Sequence, residues 1–422
     1  MQYIWQHRLW LQRDMRTVDG QVVQVIDPGR INTGSGPDFF NAKIAIDGHI
    51  WAGDVEIHVK ATDWYRHGHE GDPAYDSVIL HVVDRDDTVI RRSNGEPIPQ
   101  LRMPCAPQFH LSYKALVSGS DRELPCSSHI RSMPSIYVTD WLSTLGYERI
   151  YRKAERITDL IDRFSGDWES ACYVTIARGL GFGTNGAPFE RLALSVPLSF
   201  IGKHSDSITA IEALLFGQSG LIDKPSDHYS EHLKKEYDYL AKKFGLRTPG
   251  FLNWKLSGMR PGNFPHRRIA TLAAMLAGGP RMLSKLLEVK SADDAARLFA
   301  PDMTGYWTSH YNFSSPASRQ PGVLGRTSVE GLVINAVVPL QFAYGQTHGD
   351  TDMTHRAVDL LMSIPAERNT IVRIFEQAGI KASDAFMSQS LIELRREYCE
   401  QRKCLYCRIG HRMLSADARR KE

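Results

Sequence analysis

Alternating hydrophobic and polar positions dominate the first hundred residues of the chain. This period of two residues predicts β-strands. The dipeptide Asp47-Gly48 separates two of the longest runs and is typical of a tight hairpin turn. A short amphipathic helix is predicted ahead of them, over residues 3–11. The predicted strands are residues 21–26, 39–46, 50–62 and 77–83, followed by a hairpin over 88–103.

From about residue 134 the apolar spacing changes to the 3.6-residue period of helices. Ile269, Leu272, Ala273 and Leu276 illustrate it, and similar spacing recurs as far as residue 403. The change predicts an α+β fold with two domains. We expect a β-rich, mixed-sheet domain over residues 1–130 and a larger all-helical domain over residues 131–422.

The composition is typical of a globular protein, and the nearly neutral net charge does not by itself indicate a nucleic-acid-binding protein. The chain has 422 residues, of which 42% are hydrophobic and 23% charged, and its net charge is +3. The basic residues are concentrated at the end, where residues 395–422 carry nine Lys or Arg against four Asp or Glu. Such a tail either attracts phosphate backbones or forms a solvated helical end, and the sequence leaves both interpretations open.

The sequence predicts a cytoplasmic protein without a membrane segment. It has no run of roughly 18 apolar residues, and its N-terminus lacks the apolar stretch of a signal peptide. The six cysteines are therefore expected to stay reduced, as thiols or metal ligands. The oligomeric state is not predictable from these features.

The predicted strand over residues 50–62 carries four polar side chains on one face. Asp54, Glu56, His58 and Lys60 alternate with Val55, Ile57 and Val59, so the polar set shares one face and the valines and isoleucine are expected to pack on a core. A solvated face is one interpretation. A catalytic or metal site is the other.

A metal site becomes the stronger interpretation when the preceding strand is included. Asp38 follows a Gly-Pro turn, and hairpin pairing brings it beside Glu56. Paired carboxylates are ligands for Mg²⁺ or Mn²⁺, which can activate water against a phosphoryl group. His81 lies in an apolar strand and is a further candidate ligand. We therefore predict Asp38, Glu56, His58 and Lys60 as catalytic residues, and as metal ligands Asp38, Asp54, Glu56 and His81.

The sequence Pro37-Asp38, followed by Glu56-x-His58, resembles the motif of the PD-(D/E)xK, restriction-endonuclease-like nuclease superfamily. That resemblance implies a mixed sheet, a Mg²⁺ or Mn²⁺ site and cleavage of nucleic acid. His58 stands where that motif has Lys, and Lys60 follows two residues later. In such nucleases a helix before the sheet often offers Glu or Gln to the metal, which points to Gln6.

A larger part of the chain resembles an uncharacterised bacterial family known as a domain of unknown function. The stretches GPDFFNAKI, GDVEIHVKATDW, HGHEGDPAYDSVILHVV, RPGNFPHRRIATLA and YCEQRKCLYCRIG carry this resemblance. The family implies no activity. Two alternatives to a nuclease therefore remain open: a non-catalytic nucleic-acid-binding or scaffold protein, and a cupin-like metalloenzyme that uses His67, His69 and Glu70.

The end of the chain has the spacing of a second metal site. Cys399, Cys404, Cys407 and His411 can close a structural Zn²⁺ site. Alternatively, three late cysteines and one early cysteine, Cys105 or Cys126, can hold a [4Fe–4S] cluster, an arrangement that also resembles some nucleases of the same superfamily. A third interpretation is that the thiols only pack against a helix end.

A basic segment opens one of the predicted helices. It lies in the sequence RPGNFPHRRIA, at residues 260–270. Helix N-termini favour anions, so this segment is a candidate contact for a nucleic-acid backbone. Arginines that cap neighbouring helices explain the same pattern. The candidate residues are Arg260, His266, Arg267 and Arg268.

Overall fold

The fold is described from a computed structural model of the chain. The description covers the chain apart from residues 11–13, 105–106, 119–123, 248–249, 251, 280, 304, 314–315, 319, 323 and 420–422. The described residues divide into two compact units, which we call the sheet unit and the helical unit. The sheet unit comprises Met1–Trp141, Ile374–Ile380 and Leu394–Glu422, and the helical unit comprises Leu142–Arg373 and Lys381–Glu393.

The sheet unit contains a mixed sheet of seven strands among the described residues. The strands are β1 (Met15–Arg16), β2 (Val22–Asp27), β3 (Arg30–Ile31), β4 (Phe39–Ile46), β5 (His49–Lys60), β6 (Val78–Arg85) and β7 (Gln100–Arg102). Their order is β1-β2-β4-β5-β6-β7, and β3 pairs with β4. A bridge between Thr17 and Leu101 brings the two edges together, so the sheet is nearly closed.

Strand β5 lies in the middle of this sheet and has two different neighbours. It pairs antiparallel with β4 through the Asp47-Gly48 hairpin and parallel with β6, with Glu56 opposite His81. Val55 and Ile57 pack into the main core of the unit. The expectation that Val59 would join them is wrong, because its side chain is 58% exposed.

Short helices connect and cover the strands. They are α1 (Gln2–Gln6), α2 (Asp63–Arg66), α3 (Pro107–Ser118), α4 (Ser127–Ile130) and, at the end of the chain, α19 (Arg408–Arg419). Helix α2 and two 3₁₀ turns form the crossover from β5 to β6. Met413 and Leu414 of α19 pack in the same core as Phe109 and Leu116 of α3, which ties the end of the chain to the sheet.

The remaining elements are helical, as the 3.6-residue pattern predicted. They are α5 (Ser135–Arg163), α6 (Trp168–Leu180), α7 (Gly186–Ser195), α8 (Leu198–Gly202), α9 (Ile208–Ser219), α10 (His228–Phe244), α11 (Pro265–Leu276), α12 (Leu283–Leu287), α13 (Ala292–Leu298), α14 (Arg326–Leu332), α15 (Val338–His348), α16 (Thr351–Ser363), α17 (Thr370–Gln377) and α18 (Ala385–Glu393). One π-helical turn, Val333–Val337, joins α14 to α15, and another, Leu394–Cys399, follows α18.

The α+β class with a mixed sheet is confirmed. The division into domains at residue 130 stays a prediction, and the structure adds that residues 394–419 group with the sheet unit. The region between the sheet and α5 contains helices α3 and α4. Among the helices that the structure describes, none is long and apolar enough to cross a membrane.

Candidate metal centre

Two carboxylates lie side by side where β4 begins and in the middle of β5. The backbone N–H of Asp38 donates to Glu56 Oε2 at 2.9 Å, and Asp38 Oδ2 accepts the N–H of Ile57 at 3.0 Å. The side-chain amide of Gln2 donates to Asp38 Oδ1 at 2.6 Å. These bonds hold the two residues beside each other at the start of the β4–β5 pair.

Two histidines approach the second oxygen of Glu56, and a third lies beside one of them. Glu56 Oε1 lies 3.4 Å from His58 Nε2 and 3.4 Å from His69 Nε2. His67 Nδ1 lies 3.2 Å from His58 Nε2. One ring nitrogen from each histidine lies within 4.8 Å of the corresponding nitrogens of the other two. The group of Glu56, His58, His67 and His69 is called the His–Glu cluster below.

The spacing of these donor atoms matches the spacing of ligands around a single ion. Four ligands placed tetrahedrally about 2.0–2.1 Å from a metal lie roughly 3.4 Å from one another. The measured separations from Glu56 Oε1 have that value. They are longer than a good hydrogen bond between nitrogen and oxygen, so hydrogen bonding alone does not account for the arrangement.

The crossover after β5 presents His67 and His69. Helix α2 ends at Arg66 and His67 is its C-cap residue; Gly68 then takes a φ of 75°, a conformation that glycine adopts without strain, so the chain turns. The ring of His69 stacks on Tyr75 with 3.8 Å between centroids and meets the edge of Trp64 at 5.3 Å. Aromatic packing therefore orients His69, whereas His67 is exposed and leaves the cluster open to solvent.

His81 lies behind His58 and does not face Glu56 Oε1. It is fully buried on β6, and its Nε2 lies 2.9 Å from His58 Nδ1. Its own Nδ1 has no partner among the described residues. If His58 Nε2 serves as a ligand, its Nδ1–H donates to His81, which is the usual way in which a neighbour fixes a ligand's tautomer. His81 is therefore placed to orient His58.

Burial sets the charges of this cluster. Burial, and after it the neighbouring His69, lowers the pKa of His58 to about 4, and burial also lowers the pKa of His69. Both rings are neutral near pH 7 and have lone pairs to offer a metal. Burial, followed by the charge of Asp38, raises the pKa of Glu56 to about 8. Among the described residues, no Lys or Arg forms an ion pair with this carboxylate, and a bound cation would supply the positive charge.

Two predicted residues are not brought into the cluster. Asp54 accepts the backbone N–H of Asn41 at 2.9 Å and the hydroxyl of Ser77 at 2.6 Å, so its carboxylate links neighbouring segments. Lys60 is exposed at the end of β5. The pKa of Asp87 is lowered chiefly by the hydrogen bond from the backbone of Thr62, and the charge of Lys60 makes a smaller contribution. The structure assigns neither residue a contact with Glu56.

Three residues of the centre, Gln2, His67 and His69, are not among the site residues predicted from sequence. Gln2, not Gln6, reaches Asp38 from α1. His67 and His69 were considered only in the cupin-like alternative, together with Glu70. Glu70 is exposed, and the carboxylate beside the histidines is Glu56. The His-x-His spacing was the available signal.

Replacing His69 by Ala is expected to weaken binding of Mn²⁺ or Zn²⁺ by at least about 100-fold, because a direct ligand contributes more than the outer contacts whose loss costs 10–100-fold. Isothermal titration calorimetry measures the change. His49→Ala, at an exposed position of β5 in the same unit, is the matched control and should bind like wild type. Equal affinity of all three proteins would rule out His69 as a ligand.

A second group of metal-ligand residues lies elsewhere in the sheet unit. Cys126, Cys399, Cys404 and Cys407 are free thiols. After burial, electrostatic repulsion from Cys407 and Cys404 helps to raise the pKa of both Cys126 and Cys399. Cys407 also helps to raise the pKa of Cys404, so the four thiols lie near one another. Cys126 precedes α4, and the other three precede α19. The fold therefore brings one early and three late cysteines together, and we call them the cysteine cluster.

The loop from Cys404 to Cys407 is folded tightly against the first turn of α19. The backbone N–H groups of Ile409 and Gly410 donate to Cys407 Sγ. Gly410 lies so close to the carbonyl oxygen of Cys404 that a Cβ there would be 2.3 Å from it. N–H donors at a helix N-terminus stabilise a thiolate, the form that binds metals.

Among the described residues, the four sulfurs do not form a group as tight as the ligands of a bound Zn²⁺. Among the residues searched, no three of the four sulfurs lie within 4.8 Å of one another. Zinc–sulfur bonds of about 2.3 Å would bring tetrahedral ligands to roughly 3.8 Å. Burial raises the pKa of all four thiols, and a bound cation would favour their thiolate forms. A polynuclear cluster, in which each cysteine binds a different iron, suits the wider spacing.

His411 has other partners. Its Nδ1 lies 2.7 Å from the hydroxyl of Tyr3, and its Nε2 lies 3.2 Å from that of Ser415. Both ring nitrogens are thus engaged, and Cys126 is better placed than His411 as the fourth ligand. Cys105, the other early cysteine considered, lies outside the described residues.

The basic residues predicted to contact nucleic acid lie around the start of α11 in the helical unit. Arg267 and Arg268 are buried, whereas Arg260 is exposed. His266 is half-buried with its ring edge against Phe313. Buried arginines cannot lie along the backbone of a nucleic acid, although they line a cavity that is described below.

The chain belongs to a family described as "Protein of unknown function (DUF2851)", which matches residues 1–370. The predicted membership of a family of unknown function over most of the chain is confirmed. No curated protein and no solved structure is significantly similar to the chain. The His–Glu cluster and Cys126 lie within the matched residues, and Cys399, Cys404 and Cys407 lie beyond them.

Proposed function

We propose that the sheet unit is a divalent-metal-dependent phosphodiesterase that acts on nucleic acid. The observation that carries the proposal is the convergence of Glu56 Oε1, His58 Nε2 and His69 Nε2 at separations suited to one ion, directly beside Asp38. The centre is open to solvent at His67, so a large substrate can approach it.

The types of ligand atom in the His–Glu cluster indicate which metal ions it would bind. Imidazole nitrogens suit Zn²⁺ and Fe²⁺, while carboxylates suit Mg²⁺ and Mn²⁺. A cluster of histidines with one carboxylate favours Mn²⁺, Zn²⁺ or Fe²⁺ over Mg²⁺, which prefers oxygen ligands and waters. Of the two ions predicted from sequence, the proposal therefore keeps Mn²⁺ and expects Mg²⁺ to be a poor substitute.

The residues of the centre have different proposed roles. A divalent ion at this centre would supply Lewis-acid activation of a phosphoryl oxygen and of water. Glu56, His58 and His69 would hold the ion, and His81 would orient His58. Asp38, whose pKa burial raises, lies beside Glu56 and is the group placed to accept a proton from the attacking water. Gln2 and the N–H of Ile57 hold its carboxylate in place.

Two features favour a phosphodiester over other substrates. Pro37-Asp38 leads into β4, Glu56 lies on the antiparallel partner β5, and β6 follows in parallel after a short helix, an arrangement that suits the resemblance to restriction-endonuclease-like nucleases. The C-terminal segment of the same unit is basic, and clustered positive charge attracts phosphates. The proposal includes the cytoplasmic location and the nucleic-acid partner predicted from sequence.

The test is cleavage of end-labelled single- and double-stranded DNA and RNA by the metal-free protein, supplied in turn with Mn²⁺, Zn²⁺, Fe²⁺ and Mg²⁺. We expect cleavage with at least one of the first three ions, slower cleavage with Mg²⁺ and none with EDTA. Cleavage that continues unchanged in EDTA would contradict the proposal.

A cupin-like metalloenzyme acting on a small molecule is the second candidate. The observation that favours it is the number of histidines, because three histidines and one glutamate are a donor set for Fe²⁺ or Zn²⁺. Tight binding of such an ion without cleavage of any nucleic acid would favour this candidate. Binding of nucleic acid without a metal and without cleavage would instead favour the scaffold alternative.

We further propose that the cysteine cluster holds a structural [4Fe–4S] cluster. Its support is the assembly of four thiols from distant parts of the chain and their wide spacing. The ligand set proposed from the structure is Cys126, Cys399, Cys404 and Cys407, in which Cys126 takes the place of His411. A reducing compartment keeps these thiols available.

A further inference from the structure

The helical unit contains a cavity of about 430 Å³ at the start of α11. Arg260, Arg267 and Arg268 line it, with polar side chains of Asn263, Tyr311 and Ser328. Phe299, Met303 and Leu324 supply an apolar part of the wall. Among the described residues that line it there is no Asp or Glu, so three arginines line this space without a carboxylate among them.

Arg267 is buried and bonded only to neutral groups. Its side chain is 4% exposed and donates to the carbonyl oxygens of Trp307, Pro321 and Gly322. None of the ion pairs between described residues includes it. Carbonyl oxygens satisfy its hydrogen bonds but do not neutralise its charge. Burying an uncompensated charge is unfavourable.

Arg268 repeats this situation one residue later. It is 5% exposed, its guanidinium lies over the ring of Phe182 at 4.8 Å, and one nitrogen donates to Asn263 Oδ1 at 2.6 Å. Its Nε has no partner among the described residues. Burial, and after it the charge of Arg267, lowers the pKa of Arg268 to about 10. A buried, unpartnered donor at the wall of a cavity is a feature that a ligand can satisfy.

Both arginines occur in the first turn of a twelve-residue helix. Backbone N–H groups at a helix N-terminus add a further preference for negative charge. Arg260, which is exposed, stands at the rim of the same cavity. The cavity therefore combines a buried positive wall, an exposed positive rim and an apolar side.

We propose that this cavity binds a phosphomonoester carried on an apolar or aromatic group, such as the phosphate end of a nucleotide. Guanidinium groups form strong, often bidentate hydrogen bonds to phosphate. The volume exceeds what phosphate alone needs, and the apolar wall accommodates the rest of the ligand. The same group occurs in free nucleotides and at the ends of nucleic-acid strands. The proposal does not depend on the metal centre of the sheet unit.

The test is calorimetric titration of the full chain with AMP, adenosine, inorganic phosphate, and short oligonucleotides with a 5′-phosphate or a 5′-hydroxyl. We expect binding of AMP and weaker binding of phosphate, with no binding of adenosine. Metal is left out and EDTA is present, so that the sheet unit's centre does not contribute. Preference for the phosphorylated oligonucleotide over AMP would identify strand ends as the source.

Two variants and one control assign the binding to this cavity. Arg268→Gln is expected to lower the affinity for AMP at least tenfold, and the exposed Arg260→Gln about tenfold with an unchanged fold. Arg281→Gln, at an exposed position of the same unit, should bind AMP like wild type. Binding that all three variants retain, or no AMP binding by the wild type, would overturn the proposal.

Discussion

Glu56→Gln is expected to abolish metal-dependent cleavage, with a loss of roughly 10³-fold or more in kcat/KM. Glu56 contributes the oxygen that both His58 Nε2 and His69 Nε2 approach, so the substitution replaces the only charged ligand of the centre by a neutral amide. Lewis-acid activation contributes several kcal/mol to such reactions, and about 1.4 kcal/mol corresponds to each tenfold loss. Initial rates with the preferred ion measure the effect.

Glu56→Gln is a suitable substitution because it preserves the local structure. The amide oxygen of Gln can still accept the backbone N–H of Asp38, as Glu56 Oε2 does. A matched Glu→Gln change at the exposed Glu96 of the same unit serves as control and should cleave like wild type. Circular dichroism verifies that both variants are folded. A Glu56→Gln protein that cleaves at the wild-type rate would place the chemistry elsewhere.

Cys126→Ser is expected to eliminate the iron–sulfur cluster and to destabilise the sheet unit by about 5 kcal/mol. The cluster would join Cys126 to cysteines some 270 residues later, and a cross-link that closes so long a loop stabilises on this scale. Anaerobically prepared wild type should contain iron and acid-labile sulfide, about four of each per chain. The variant should lack both, unfold at lower temperature and lose protease protection over residues 394–419.

The control for this prediction is Cys172→Ser. Cys172 is buried in α6 of the helical unit and is not one of the four proposed ligands, so this variant should keep its iron and sulfide. His411→Ala should also keep them, because its ring nitrogens contact Tyr3 and Ser415. Zinc in place of iron, or loss of metal from His411→Ala but not from Cys126→Ser, would contradict the ligand set.

The alternation of polar and apolar residues was enough to predict the paired carboxylates. Period two along β5 placed Glu56 and His58 on one face, and the hairpin at Asp47-Gly48 placed Asp38 opposite them. The same alternation misassigned the end of the strand. Beyond His58, β5 passes the edge of the core, so Val59 and Lys60 are both exposed.

The other half of the centre depends on contacts that no local pattern encodes. His67 and His69 lie on an irregular crossover whose course depends on Gly68 and on stacking against Tyr75. The parallel pairing of β5 with β6 places His81 behind His58. Periodicity describes regular elements and gives no position to a loop, so these histidines appeared in the sequence only as a spacing.

The burial of Arg267 and Arg268 could not be predicted from the basic segment at residues 260–270. In the sequence, Arg267 and Arg268 are two positive charges at a helix start, which suggests surface contact with a nucleic acid. In the fold both lie under neighbouring chain segments, and Arg267 donates to carbonyl oxygens 40 or more residues away. Long-range packing of this kind determines whether an arginine lies on a surface or in a cavity.

Anomalous X-ray diffraction at the manganese edge, from crystals soaked in Mn²⁺, shows whether the His–Glu cluster binds a metal ion. We expect one strong anomalous peak about 2.0–2.5 Å from Glu56 Oε1 and from the Nε2 atoms of His58 and His69. The peak should disappear in crystals of Glu56→Gln treated in the same way. A manganese peak elsewhere, with none at these three atoms in the wild type, would show that the His–Glu cluster is not a metal centre.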